Sequence, residues 1–158
     1  KPGTQLNRNS IEGPGDNSIL NSIKSLLPEG DIRTRYKHAF HYLRKREFKN
    51  AEIALQEFIG AHPNDPLAGN AMYWLGESYY TRGMFGKAAE TFGLGYEKYS
   101  KSSKTPDNLL KLGFSLLRLS RSEDACVAFA QLLKEFPRIA LSTKRRATVE
   151  SKRIGCKS

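Results

Sequence analysis

His38 and His41 stand three residues apart, a spacing that sets two imidazoles near one helix face and could begin a metal site. No third or fourth ligand follows at sensible spacing, so neither a metal nor another cofactor is expected. Ser, His and Asp all occur, but without a strained nucleophile turn or a glycine-rich phosphate cradle, and an enzyme is not expected. Cys126 and Cys156 have no partners at metal-ligand spacing and permit one disulfide if the protein is exported. The chemistry that remains is recognition. Three tyrosines and the only tryptophan crowd into residues 71–80, AMYWLGESYY, with Gly76 among them where a helix would rather have alanine.

The chain has 158 residues and a formal charge of +10. Residues 1–31 carry three Lys/Arg against four Asp/Glu, residues 32–137 sixteen against eleven, and the last 21 residues seven against one. More than half of the excess therefore sits in the terminal segment RIALSTKRRATVESKRIGCKS. No base-reading motif accompanies it, and the face of a capping helix is expected there rather than a nucleic-acid site. No stretch approaches the roughly 18 uninterrupted apolar residues of a membrane span. The chain opens Lys1-Pro2-Gly3 without methionine, so a mature or trimmed fragment is expected, and the lack of a leader says nothing of compartment.

Residues 1–16, rich in Gly, Pro, Asn and Ser, read as a linker. Ile19, Leu20, Ile23, Leu26 and Leu27 recur at helical spacing and predict a short amphipathic helix over 17–27, ended by Pro28 and Gly30. The region 1–31 is set apart from a helical domain over 32–158. There a shift of 37 residues aligns Ala39, Gly76 and Gly113; Tyr42, Tyr79 and Leu116; Ala51, Ala88 and Ala125; Leu55, Phe92 and Phe129; and Pro63, Ser100 and Pro137. One offset satisfied at five places, three times over, is a repeat. Each unit reads helix, turn, helix, proline, over about 32–68, 69–105 and 106–138, and a last helix at about 139–153 would cap the third.

The order in the central unit is Met72, Leu75, Gly76, Tyr79, Ala88, Phe92, Gly95 and Ser100, and it resembles the tetratricopeptide pattern. The third unit has Leu109, Leu112, Gly113, Leu116, Ala125, Phe129, Leu132 and Pro137, and the first departs most. The fold expected is all-α: a right-handed solenoid of three helix-turn-helix repeats with a C-terminal capping helix. The strings AGNAMYWLGESYYTRGMFGKAAETF and TPDNLLKLG, the DAC of the last unit and the terminal RIGC narrow the resemblance to the YbgF/CpoB family, over about residues 33–156. Members belong to the Tol–Pal envelope system of Gram-negative bacteria. The resemblance implies a non-enzymatic periplasmic adaptor that binds TolA and helps coordinate peptidoglycan synthesis with outer-membrane constriction at division. It also implies a signal peptide and a trimerising coiled coil upstream, in the precursor. A scaffold for another envelope complex, such as outer-membrane protein assembly, is the alternative; a basic nucleic-acid-binding solenoid is a further one.

In a stack of this kind the first helices of successive pairs line the concave surface. Positions 4, 7, 8 and 11 of each unit pack inward, which turns positions 2, 5, 9 and 12 outward at about 100° per residue. Those are Arg33, Tyr36, Phe40 and Leu43; Asn70, Tyr73, Glu77 and Tyr80; Asp107, Leu110, Phe114 and Leu117. Tyr36, Phe40, Asn70, Tyr73, Glu77, Tyr80, Asp107, Leu110 and Phe114 are the expected partner-binding residues, with Glu77 and Asp107 meeting a basic segment. Trp74 joins them at the groove's edge, since Lys37 and Lys111 at its equivalent positions argue for exposure. The 19–27 stripe is a competing occupant within the chain. Cys126 begins the last unit's second helix and Cys156 follows an antiparallel cap. Their proximity permits a disulfide, with two free thiols as the alternative.

Overall fold

The computed structural model describes residues 25–157, and among these the chain forms seven α-helices and no strand. They are α1 (Ile32–Arg44), α2 (Phe48–Ala61), α3 (Pro66–Thr81), α4 (Phe85–Lys98), α5 (Thr105–Arg118), α6 (Ser122–Glu135) and α7 (Leu141–Arg153). The linker expected at 1–16 and most of the helix expected at 17–27 lie outside the described residues. The last three residues of that helix, Ser25, Leu26 and Leu27, are described and are not helical. Pro28 disfavours helical backbone at Leu27, and Glu57 takes over the polar groups. Its carboxylate accepts from the Leu26 N–H at 3.1 Å and from the Ser25 hydroxyl at 2.6 Å, and Leu27 is buried against the first pair of helices.

Helix starts follow from local chemistry. Asp31 caps α1, accepting from the Thr34 N–H at 2.7 Å, and Asp65 caps α3, accepting from the Leu67 N–H at 2.8 Å with Pro66 just behind it. The bond from Thr34 holds the Asp31 carboxyl below its usual range. Each hairpin turn closes alike. Arg46, Gly83 and Ser120, 37 residues apart, all have positive φ of 61°, 74° and 59°. Behind each, two N–H groups reach back to carbonyls of the first helix, as Gly83 does to Tyr80 and Met84 to Tyr79. This is the left-handed cap that satisfies the last carbonyls of a helix, repeated three times.

Close packing within a pair depends on the small residue of its first helix. A methyl built on Gly76 would stand 2.5 Å from Cε1 of Phe92, and one on Gly113 would collide with Phe129. Both rings are fully buried. In the first pair the same places hold Ala39 and Leu55, both fully buried, so a larger small residue goes with a smaller partner. Glycine costs helix propensity here, and the burial of two whole aromatic rings outweighs it.

Between pairs, the first helices touch in succession: α1 with α3, α3 with α5 and α5 with α7. The second helices α2, α4 and α6 make no such contact with one another. The stack is therefore tight on the side of the first helices and splayed on the other, and it curves with α1, α3, α5 and α7 on the concave layer. On the convex side the splay opens two clefts. Ile59, Met72, Leu75 and Leu94 line one; Tyr96, Leu109, Leu112 and Gln131, each 37 residues on, line the other.

Candidate functional site

The concave layer gathers side chains from three first helices. Tyr36 and Phe40 of α1 stack at 6.3 Å between ring centroids, and Phe40 meets Trp74 of α3 at 5.0 Å. Tyr73 lies edge-on to Trp74 at 4.9 Å and leans on Phe92 at 5.8 Å. Further along, Tyr80 meets Phe85 at 5.1 Å and Phe114 of α5 meets Phe129 at 5.7 Å. Tyr36, Phe40, Asn70, Tyr73, Trp74, Glu77, Tyr80, Asp107 and Phe114 are all half-buried, one side in the packing and the other open. Burial pushes the Tyr36 and Tyr73 hydroxyls up, and the nearby carboxylates of Glu77 and Asp107 add to the effect at Tyr73.

Leu110 departs from this face. It was expected to be open, yet it is only 2% exposed and belongs to the core under α7. A leucine is shorter than the tyrosines at the equivalent positions 36 and 73, so it ends within the packing layer that they cross.

The acids are also placed differently from expectation. Glu77, expected to await a basic partner, already has one: Lys111 Nζ lies 2.9 Å from its Oε1. The same ammonium sits 3.9 Å from the centre of the Tyr80 ring, and its side chain is only 12% exposed. Of the two lysines at this position Lys37 is exposed and Lys111 is not, so lysine here does not by itself mark an exposed place. Trp74 correspondingly sits inside the groove rather than at its edge, between Phe40 and the Lys104 ammonium 4.9 Å from its ring. Asp107 is half-buried. Burial pushes its carboxyl up, against the opposing pull of Lys104 and Arg146.

The cations are what sequence reasoning missed. Lys104 covers Tyr73 at 5.0 Å as well as Trp74, Arg118 covers Phe85 at 4.3 Å, and Arg146 of α7 covers Phe114 at 4.8 Å. Each comes from the pair or cap that follows the ring it covers, and each contact adds about 0.5–1 kcal/mol at an exposed site. Past Tyr80 and Phe114 a cleft of about 460 Å³ opens against Arg145, Arg146, Val149 and Glu150 of α7. The basic run at 144–146 was visible in the sequence, but its meeting with Phe114 was not.

The cap is fixed covalently. Cys126 of α6 and Cys156, just beyond α7, form a disulfide with their Cα atoms 5.5 Å apart. His38 packs edge-on to Tyr42 at 5.2 Å while His41 is exposed. Among the described residues no group of three or more His, Cys, Asp or Glu is arranged to hold a metal. No helix among them is long and apolar enough to cross a membrane.

Comparison with known proteins agrees with the helical-pair geometry. Models of the tetratricopeptide repeat match residues 36–103 and 107–138, together most of the chain. Two sequences from Pseudomonas putida, each described as the cell division coordinator CpoB, are 40% identical over 48 residues. That alignment covers 30% of this chain and 18% of the relative, so the chain matches less than a fifth of the length of these curated relatives.

Proposed function

From the tetratricopeptide-repeat proteins, to which this chain belongs and among which it is similar to the CpoB coordinators, we propose that it is an adaptor of the Tol–Pal system. It works in the periplasm without catalysis, binds TolA, and helps to coordinate peptidoglycan synthesis with outer-membrane constriction during division. In the longer protein an upstream coiled coil brings three copies together. The partner lies along the concave layer.

The observation that carries the adaptor reading is the row of rings on that layer. Tyr36, Phe40, Trp74, Tyr80 and Phe114 come from three different helices and are all half-open side by side. A contiguous apolar strip of this kind marks an interaction site, and large aromatic side chains are the usual anchors of one.

The test uses purified TolA and the purified domain in a titration calorimeter. Phe40→Ala plus Trp74→Ala lowers the affinity at least about tenfold while the helical signal is retained, as expected for anchor residues. Unchanged affinity in that variant would remove the concave face as the site. A wild-type domain that does not bind TolA would remove the Tol–Pal assignment.

A further inference from the structure

We infer that the concave face takes an acidic peptide segment carrying an aromatic or leucine anchor. This deepens the reading above and rests on the concave layer being the partner site. The first support is a segregation of charge by layer. The concave helices α1, α3, α5 and α7 carry eleven Lys/Arg against three Asp/Glu, a net of +8. The convex helices α2, α4 and α6 carry four against seven, a net of −3. The overall basicity of the chain is therefore not a uniform solvated coat.

The second support is how the two carboxylates of the groove are used. Glu77 is bound to Lys111, and Asp107 is half-buried within the pull of Lys104 and Arg146. Glu77 is thus already engaged within the groove and Glu150 beside it is held by Arg153, whereas Arg145 and Arg146 stay exposed on its rim. Potentials that complement each other across an interface steer encounter and exclude partners of the wrong sign.

The third support separates a peptide from a polyanion such as nucleic acid. Glu77 and Asp107 interrupt the groove's basic surface, which a phosphate at every nucleotide would have to cross, whereas a peptide can place its few carboxylates clear of them. Meanwhile Val149, 54% exposed, stands with Tyr80 and Phe114 in the terminal cleft. With the Glu150 carboxylate of the cleft held by Arg153, that apolar floor beneath two guanidinium groups suits one large apolar side chain flanked by carboxylates.

The experiment is a selection of random dodecapeptides displayed on phage against the immobilised domain. Titration calorimetry measures binding of the synthesised winners to the wild type and to the variants. Enriched peptides are expected to carry a clear net negative charge around a Phe, Trp, Tyr or Leu, and to lose affinity as salt rises. In Arg145→Glu plus Arg146→Glu they bind at least about tenfold more weakly, as loss of complementary charge requires. Neutral or basic winners, or no winners at all, would overturn the inference. So would a duplex DNA probe that competes as well as the acidic peptides. Basic winners that still need Phe40 and Trp74 would overturn the acidic chemistry alone and leave the concave site standing. Acidic winners indifferent to Phe40→Ala plus Trp74→Ala would overturn both.

Discussion

Phe92 fills the space in which a side chain on Gly76 would begin: Cε1 of the ring lies 2.5 Å from the position of the missing Cβ. The same relationship recurs between Gly113 and Phe129. A ring in that position is what pulls the two helices of a pair together.

Gly76→Ala is expected to destabilise the domain by up to about 2 kcal/mol. Overpacking costs about 1–3 kcal/mol, and the gain in helix propensity returns about 1 kcal/mol. Adding Phe92→Leu recreates the Ala39–Leu55 combination of the first pair, so the two changes together cost less than their sum by at least about 0.5 kcal/mol. Urea denaturation of the wild type, both singles and the double decides this. A stabilised single alanine variant would refute the packing account.

Ser120→Gly and Arg46→Gly are expected to stabilise. Both residues hold positive φ, at 59° and 61°, where the middle turn of the three already uses Gly83. Relief of left-handed strain is worth about 1 kcal/mol, and the added entropy of an unfolded glycine reduces the net to a few tenths or more. Gly83→Ala should shift the midpoint the other way. Thermal unfolding of the three variants against wild type tests the sign, and a loss of stability at Ser120→Gly contradicts it.

Reducing the Cys126–Cys156 disulfide is expected to loosen α7 before anything else. The helix buries only Ala147 completely, so little else holds it down. Closing a loop between cysteines 30 residues apart contributes about 3–4 kcal/mol in the chain-entropy model. Hydrogen exchange with and without reductant should show protection lost first over 141–153. Uniform loss along the whole chain would argue against a separately tethered cap.

Two carboxylates should bend the stability–pH curve in opposite directions. Burial pushes Glu52 up, but the bonds from Arg82 at 2.6 Å and the Tyr79 hydroxyl at 3.0 Å outweigh it and hold the carboxyl below its usual range. Its contribution is complete above the ordinary carboxylate pKa and lost as pH falls through the lowered folded value. Asp107 is raised by burial, so its ionised form costs stability, and the cost grows as pH rises from the ordinary value through the raised one. Asp107→Asn, which copies Asn70 at the equivalent place, should therefore stabilise at neutral pH by less than about 1 kcal/mol after solvent screening. That gain should vanish in acid, whereas Glu52→Gln should destabilise at neutral pH and level with wild type in acid. Denaturation midpoints from pH 3 to 8, spanning the ordinary carboxylate range of about 4, check both slopes.

The sequence by itself determined the helical pairs and their period. The reason is that every pair poses the same packing problem. A small residue must face a large one across the hairpin, so Gly76 with Phe92 and Gly113 with Phe129 leave a mark at a constant offset of 37. Helical phase also put the aromatic residues of the first helices on one face. It misjudged Leu110, because phase gives direction and not reach. Leu27 likewise lay within a helical pattern that Pro28 and the Glu57 carboxylate override.

Only the tertiary structure decided what surrounds those rings. Lys104 reaches Tyr73 and Trp74, and Lys111 reaches Glu77 and Tyr80, across the junction between one pair and the next. Arg146 reaches Phe114 from a cap that obeys no repeat. Such contacts depend on how pairs stack and turn relative to one another, and periodicity within a pair carries no record of that angle. The sign of the groove's charge is therefore a property of the stack: the sequence read residue by residue pointed to Glu77 and Asp107, and the fold surrounds them with cations.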